Sequence, residues 1–354
     1  GRVARDRSFF RGYYDNRYRK NYEIIYSFEN YLDTKVVIKK AGLKYLLAGP
    51  FLSGSTESKR QSVQTLQGHI PMLLTQGKEN ILEIGYGVGQ IARSIYRYRP
   101  ADFDIVEIDP DMVRIANRFF NEVNDRVTDK KGVRVSIMDG RHFLDIQDKQ
   151  YDLIMSDTFF IFSEASTRLY TLEHFTRARK HLKEGGLCLC WIPGNMGVLP
   201  GLSIIKTFQT VFPDLLAWRY PEKKSSDIFL IGRKGKKKFS LSQFFNRYRK
   251  TARNDLMRVG IKDPYELLSG FFNIKEIMPA VCGSRAILLH IEDKPFLDFA
   301  FSMDISRKLL DDVIKEYFFK DDTGWLDEYF SFHDLPGEKI KIRRQKFRAI
   351  QHLR

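Results

Sequence analysis

The sequence predicts an α/β fold built around a doubly wound, mostly parallel sheet. Three observations predict it: strand-like and helical segments alternate from residue 80 to about 234, three glycines follow the first of these strands, and acidic residues follow the next strands. The expected parallel strands are Ile81–Ile84, Asp104–Ile108, Val133–Met138, Asp152–Ser156 and Leu187–Ile192. Leu216–Arg219 and Ile228–Ile231 are expected to add an antiparallel pair.

The glycine turn predicts where a ligand binds. Gly85, Gly87 and Gly89 let the backbone approach a ligand closely, and Glu107 follows the next strand, roughly 20 residues on, where it would accept hydrogen bonds from ribose hydroxyls. Glu83 directly before the turn would repel a pyrophosphate but suits a ligand with an ammonium and a sulfonium group. The turn therefore favours an adenosyl-sulfonium ligand over a dinucleotide. Its E-x-G-x-G-x-G pattern resembles the first motif of Rossmann-like S-adenosylmethionine enzymes.

Shorter segments flank this central part. A small antiparallel sheet is expected from Tyr22–Phe28, Lys35–Lys40 and Lys44–Leu47, followed by a loop over Gly49–Gln61 and a helix over Gln64–Leu74. We therefore expect a β-rich subdomain over residues 1–62 and a nucleoside-binding domain over residues 63–238.

The last third of the chain has a different character after residue 238. Helices are expected at Ser240–Val259, Pro264–Phe272 and Arg307–Phe318, and strands at Ala286–Ile291 and Phe296–Phe301. Residues 239–354 are too apolar for a disordered tail, so we expect an α+β extension that forms a lid or an extra subdomain.

Composition limits the class of protein. The 354 residues carry a formal charge of +15, so a nucleic acid, an anionic membrane surface or an acidic substrate would each suit the surface. The three cysteines form no disulfide framework, which indicates a reducing, cytoplasmic setting. No apolar run reaches bilayer-spanning length. No Met opens the chain, so we expect that a further segment precedes it in the full-length protein.

Six motifs stand out along the central part of the chain: LEIGYGVG (82–89), VEIDP (106–110), MDGRHFL (138–144), YDLIMSD (151–157), RLYTLEHF (168–175) and LKEGGLCLCWIP (182–193). Together they resemble the spermidine synthase (aminopropyltransferase) family, whose fold is Rossmann-like and class I methyltransferase-like. The resemblance runs from about Leu43 to Arg233 and is closest to the branch fused to membrane-transporter-like segments. A further segment, HIEDKPFLDF (290–299), resembles part of the family's tail.

This resemblance implies roles for individual residues. Glu107 would hold the ribose, Asp139 with Gly140 the adenine, and the Gly85–Gly89 backbone the sulfonium tail. Glu83, also expected to bind the cofactor, is typical of methyltransferases, because synthases usually have an apolar residue there. Gln64 matches a glutamine that touches the cofactor, and Asp157 matches the aspartate that orients and deprotonates the attacking amine. The cofactor would be S-adenosylmethionine or its decarboxylated form.

Departures from the family pattern concern the amine. Val88 replaces an acid of the glycine loop, Phe160 an acid after the fourth strand, Val63 a tyrosine, and Trp191 a glutamine after the fifth strand. These changes predict an apolar, aromatic substrate pocket made by Phe159, Phe160, Tyr170 and Trp191.

Several functions follow from these patterns. The first is transfer of an aminopropyl or alkyl group from the sulfonium to a small-molecule amine or other nucleophile, and methyl transfer or cleavage of the cofactor itself are alternatives. A non-catalytic, nucleoside-binding regulatory domain of a membrane protein is a further alternative. We expect no metal site and no nucleic-acid partner. Association with an anionic membrane surface and formation of a homodimer are the further interactions that we consider. The expected location is the cytoplasm. One alternative is that the chain is the soluble part of a membrane-anchored protein.

Overall fold

The structure is a computed structural model. It describes residues 21–49, 51–58, 61–77, 79–157, 164–221, 225–275, 277, 287–303, 309–320, 323–332, 335 and 337–353. The predicted pocket residues Phe159 and Phe160 lie outside these ranges.

The N-terminal sheet has four antiparallel strands in sequence order: β1 Glu23–Glu29, β2 Thr34–Lys40, β3 Leu43–Ala48 and β4 Phe51–Ser55. The first three confirm the predicted sheet. The predicted loop over Gly49–Gln61 is wrong, because it contains β4. Its Ser-Gly-Ser end has weak intrinsic strand preference, and pairing with β3 supplies the order that the sequence does not signal.

The central sheet has eight strands in the order β13-β10-β11-β9-β8-β5-β6-β7. Strands β5 to β9 run parallel to one another, and β10 and β11 form the predicted antiparallel pair. Strand β11 also pairs antiparallel with β9. A separate parallel pair joins β12 to β14. The strands are β5 Asn80–Ile84, β6 Asp102–Glu107, β7 Val133–Ile137, β8 Tyr151–Ser156, β9 Leu182–Ile192, β10 Leu215–Arg219, β11 Ile228–Arg233, β12 Phe239–Ser240, β13 Phe271–Phe272 and β14 Phe330–Ser331.

Helices cover both faces of this sheet and form most of the C-terminal extension. A π-helical segment, Tyr248–Ala252, joins α9 to α10. The helices are α1 Ser62–Leu74, α2 Gln90–Tyr96, α3 Pro110–Phe119, α4 Asn121–Asn124, α5 Gly140–Asp145, α6 Glu164–Thr167, α7 Leu172–Lys180, α8 Val198–Val211, α9 Leu241–Arg247, α10 Arg253–Arg258, α11 Pro264–Ser269, α12 Phe296–Met303, α13 Leu310–Lys320, α14 Leu326–Tyr329 and α15 Glu338–Leu353.

The central strands alternate between two apolar cores. Ile81, Ile105 and Leu153 pack on the side of α1 and α2, whereas their neighbours Leu82 and Ile154 pack on the side of α7 and α8. This alternation follows from the two-residue period of a strand whose two faces are both covered by helices. The strand order reverses at β5, which lies between β6 and β8, and parallel sheets bind ligands at such a point.

The N-terminal sheet is fixed over this reversal by charge and by apolar packing. Lys35 forms a buried ion pair with Asp109, which follows β6, and Asn30 Nδ2 donates to Asp109 Oδ1 at 3.0 Å. Val88 of the glycine turn packs beneath the sheet, and a Cβ on Gly54 would lie only 2.2 Å from Val88 Cγ1. The shared apolar cluster contains Val37, Leu46, Val88, Met112, Ile115, Phe120 and Val123.

The C-terminal extension continues the central sheet, since β13 pairs with β10. The strand predicted at Phe296–Phe301 is wrong, because these residues begin α12. Their aromatic content resembles that of a strand, but Pro295 and Asp298 mark the first turn of a helix. The strand predicted to end at Ile291 is absent over residues 287–291, where Ile291 makes only an isolated bridge. Within the described ranges, no helix combines the length and apolar character needed to cross a membrane.

Candidate functional site

A large cavity of about 480 Å³ opens at the carboxyl ends of β5, β6 and β7, and the N-terminal sheet covers it. Six of the residues predicted to bind the cofactor or to act in catalysis line it: Gly85, Gly87, Glu107, Asp139, Gly140 and Asp157. Residues of the N-terminal sheet and its loops form the opposite wall, namely Leu32, Asp33, Lys35, Ala48, Phe51 and Ser53.

Gly85 lets β5 and β8 end side by side at this cavity. Its φ is +94°, and a Cβ there would lie 2.3 Å from the carbonyl oxygen of Asp157. The Asp157 amide in turn donates to the Ile84 carbonyl at 2.8 Å. A larger residue at position 85 would therefore push Asp157 away from the glycine turn.

Glu107 is held by backbone amides at the end of β6. Its two oxygens accept from Tyr86 N at 2.8 Å and from Asp109 N at 2.9 Å. Burial raises the pKa of Glu107, and the amide hydrogen bonds oppose that rise. A carboxylate fixed in this way can still accept hydrogen bonds from vicinal hydroxyls, because each oxygen has a second lone pair.

Asp139 caps the helix that follows β7. Its Oδ1 accepts from the Arg141 amide at 2.7 Å, and Arg141 Nη2 contacts Oδ2 at 2.9 Å. Burial alone would raise the pKa of Asp139, but these bonds to Arg141 lower it on balance. The charged carboxylate thus lies at the cavity wall, beside Gly140, in position to accept from an amino group.

A small cavity of about 170 Å³ adjoins the large one, and Ser53 and Asp157 line both. Among the predicted residues, Gln64 and Trp191 line the small cavity. Its remaining described lining residues are Leu52, Gly54, Ser55, Val63, Gln67 and Asp227. Asp157 therefore faces two adjoining spaces.

Asp157 has an environment suited to proton transfer near neutral pH. The pKa of Asp157 is raised to about 6, chiefly by burial and further by the charge of Glu107. A hydrogen bond from Gln67 Nε2 to Asp157 Oδ1 at 3.3 Å opposes this rise. A carboxylate with this pKa is mostly ionised at pH 7 and still basic enough to accept a proton.

Three predicted site residues lie away from both cavity walls. Glu83 is fully buried under the start of α2, and its oxygens lack hydrogen-bond partners in the described part of the chain, although the Ala92 amide is close enough to favour the carboxylate. Gly89 precedes α2 with a φ of +80°. The Tyr170 hydroxyl donates to the carbonyl of Trp191 at 2.9 Å, so Tyr170 contacts a residue that lines the small cavity without lining it itself.

Among the polar residues of the small cavity, Gln67 and Asp227 are two that were not predicted from the sequence. Gln67 lies three residues after Gln64 on α1, so helical spacing would have indicated that both share one face. Asp227 precedes β11 and has no sequence signal, because only the antiparallel pairing of β11 with β9 brings it beside Trp191.

The strand order, the glycine turn after β5 and the acids after β6 and β7 together define a Rossmann-like domain of the class I methyltransferase type. Residues 60–192 match the family model of the spermine/spermidine synthase domain. The family resemblance predicted from the motifs is thus confirmed over these residues.

Curated relatives and solved structures agree with this match. The chain is 33% identical over 120 residues to a polyamine aminopropyltransferase of Clostridium beijerinckii, covering 34% of this chain and 42% of that protein. It is 26% identical over 160 residues to that of Hamiltonella defensa, covering 45% and 54%. The chain thus spans about half or less of the length of these relatives.

The fold comparison extends further along the chain. The spermidine synthase of Thermotoga maritima superposes with a TM-score of 0.53 at 17% identity, covering 64% of this chain and 78% of that one. A probable spermidine synthase of Corynebacterium glutamicum has the same TM-score at 16% identity, covering 75% and 96%. The fold is therefore spermidine synthase-like, as predicted.

Proposed function

We propose that this protein is a transferase that moves an aminopropyl group from decarboxylated S-adenosylmethionine to a small amine. The observation that carries the proposal is the pair of adjoining cavities with Asp157 on both walls. Group transfer between two bound molecules needs such an arrangement, because donor and acceptor must meet beside one proton-accepting side chain. The match to aminopropyltransferases over residues 60–192 supports the choice of donor and acceptor class.

The large cavity fits an adenosyl donor. Its volume of about 480 Å³ suits a ligand of nucleoside size. Glu107 would accept from the ribose hydroxyls and Asp139 from the adenine amino group, while the turn at Gly85 would pass beneath the sulfonium tail. Such a donor supplies a carbon already activated by its bond to positively charged sulfur. The protein need only align the two molecules and accept a proton.

Asp157 would perform both tasks on the acceptor. Its carboxylate would accept a hydrogen bond from the attacking nitrogen, aim the nitrogen lone pair at the large cavity and take up the proton that the nitrogen loses. Gln67 would keep the carboxylate oriented through its bond to Oδ1. The N-terminal sheet would exclude water, which would otherwise hydrate the amine and compete for the carboxylate.

Methyl transfer from S-adenosylmethionine is a second candidate, and the position of Val88 favours it. The Val88 side chain packs in the core beneath the N-terminal sheet, so the glycine turn offers no acid to the free amine of an aminopropyl tail. The two candidates differ in donor and product, and one assay separates them.

The assay incubates the protein with putrescine (1,4-diaminobutane) and either donor, and identifies the products by mass spectrometry. Aminopropyl transfer yields methylthioadenosine and an extended triamine from the decarboxylated donor only. Methyl transfer yields S-adenosylhomocysteine from the carboxylated donor. If neither donor is consumed but methylthioadenosine binds in calorimetry, the protein is a nucleoside-binding module and the enzymatic proposal fails.

The other predicted partners and the location do not enter this proposal. Association with an anionic membrane surface, a homodimer and the cytoplasmic location stay predictions, as do the domain boundaries near residues 62 and 238.

A further inference from the structure

We propose that Asp227 determines acceptor specificity by binding the non-reacting ammonium of a diamine. This inference rests on the proposed function and deepens it, because it concerns the same acceptor. The replacements Val63 and Trp191 were among those that predicted an apolar, aromatic pocket. The small cavity instead has a second carboxylate on its wall, in addition to Asp157.

The fold brings Asp227 to the cavity through the central sheet. Asp227 directly precedes β11, whose first residues Ile228 and Phe229 pair with Ile192 and Trp191 at the end of β9. Asp157 follows β8, the next strand on the other side of β9. The two carboxylates therefore enter the cavity from strands on either side of β9, while α1 contributes Gln64 and Gln67.

Trp191 orients Asp227 rather than merely replacing a polar group. The indole Nε1 donates to Asp227 Oδ1 at 2.8 Å, and the Ser225 hydroxyl donates to Oδ2. The Asp227 amide donates back to Ser225 Oγ at 3.1 Å, which closes a tight local turn. A carboxylate has about four acceptor positions, so roughly two stay open for an incoming donor.

The charge of the small cavity fits a cation. No lining residue in the described part of the chain is basic. Burial raises the pKa of Asp227, the Trp191 and Ser225 bonds lower it, and the charge of Asp311 raises it further. A bound ammonium would offset the cost of keeping this buried carboxylate ionised.

A diamine matches this arrangement better than a monoamine. One nitrogen must lose its proton to Asp157 in order to react, but the other stays charged, and an unpaired ammonium inside a cavity is costly. Asp227 supplies the counter-charge, and Leu52, Val63 and Trp191 supply apolar surface for the methylenes between the nitrogens. At about 170 Å³, the small cavity has well under half the volume of the large one, which suits a short acceptor.

The test compares putrescine with n-butylamine, which has the same number of carbons but lacks the second nitrogen. With Asp227→Asn, we expect kcat/KM for putrescine to fall about 10- to 100-fold, through KM, because a charge-assisted hydrogen bond is lost. For n-butylamine, kcat/KM should stay within about twofold. Trp191→Phe removes only the indole donor and should reduce kcat/KM for putrescine about 3- to 10-fold, again with little effect on n-butylamine.

Control variants keep the test specific. Asp148→Asn changes an aspartate that lines neither cavity, so kcat/KM should stay unchanged for both amines. Thermal unfolding of each variant checks that the fold is intact. A fall that is equal for both amines, or no change for either, overturns the inference, because the first result means a structural role and the second means no contact.

A binding measurement separates this inference from the proposed function. Putrescine is titrated calorimetrically into the protein saturated with methylthioadenosine. If putrescine binds and Asp227→Asn weakens it, but no group is transferred, the proposed function fails and the specificity assignment stands. If group transfer occurs but Asp227→Asn changes neither putrescine affinity nor kcat/KM for putrescine, the specificity assignment fails and the proposed function stands. Absence of putrescine binding to the wild type overturns the assignment directly.

Discussion

The walls of the two cavities are built in different ways. In the large cavity, the key acids follow consecutive strands, and their oxygens bond to backbone amides close in the sequence, as for Glu107 with Asp109 and Asp139 with Arg141. In the small cavity, the polar residues come from distant elements: Gln67 from α1, Asp157 after β8, Trp191 from β9 and Asp227 before β11.

This difference separates what the fold fixes from what it leaves variable. A local cluster of amides and acids accompanies a strand–turn–helix unit of this type, so the large cavity is recognisable by its motifs. The small cavity depends on which side chains meet across the sheet. A substitution there can be compensated by a residue that lies far away in the sequence.

The largest expected effect is on the residue that belongs to both cavities. Asp157→Asn removes the proton acceptor but keeps the size of the side chain, so we expect kcat for aminopropyl transfer to fall about 10²- to 10⁴-fold. The affinity for methylthioadenosine, measured by calorimetry, should change by only a few-fold. If Asp157→Asn kept the wild-type kcat, Asp157 would not be the proton acceptor.

A smaller effect is expected from Glu107→Gln, which tests the large cavity alone. The variant loses the charge that would face the ribose and replaces one acceptor by a donor, so the Kd for methylthioadenosine should rise about 10- to 100-fold. The rise in Kd should be smaller for 2′,3′-dideoxy-methylthioadenosine, because this ligand has no ribose hydroxyls to donate to the carboxylate. Asp102→Asn at the other end of β6 is the matched control and should bind normally.

The pH dependence examines how Gln67 tunes Asp157. Because the pKa of Asp157 is raised to about 6, its basic form is lost as the pH falls, and kcat/KM should drop about tenfold per unit below pH 6. Gln67→Ala removes a bond that lowers this pKa, so the midpoint of the acid limb should move to higher pH. Gln64→Ala, on the same helix face, should leave it in place. Equal midpoints in all three proteins would contradict this coupling.

The smallest effect concerns Glu83, which lines neither cavity in the described part of the chain. Its pKa is raised well above the ordinary value of 4.5 by burial and by the charges of Asp157 and Glu107. The unfolded state therefore releases this proton more readily, and the wild type loses stability as the pH rises above about 4.5.

Glu83→Gln should remove that loss. In urea unfolding we expect a gain of roughly 1–2 kcal/mol in the free energy of unfolding at pH 8, and a smaller gain at pH 5. Donor affinity should stay within about threefold. A large loss of affinity would instead assign Glu83 to the ligand, as the sequence analysis predicted.

The sequence predicted the parallel sheet well, for local reasons, and six of the predicted site residues line the large cavity. The residues of β5 to β9 alternate between two apolar cores, and Gly85, Glu107 and Asp139 each stand at a strand end that fixes their position. Local sequence patterns do not predict elements that tertiary context decides: β4 forms because β3 pairs with it, and α12 forms despite aromatic residues typical of a strand. Asp227 could not be foreseen, because its contact with Trp191 depends on strand pairing.

The most direct test of the central claim is a crystal structure of the protein with methylthioadenosine and putrescine. The proposal predicts the ribose hydroxyls on Glu107, one putrescine nitrogen within hydrogen-bond distance of Asp157 and the other on Asp227. Adenosine bound elsewhere, or putrescine bound outside the small cavity, would contradict the claim that Asp157 joins a donor site to an acceptor site.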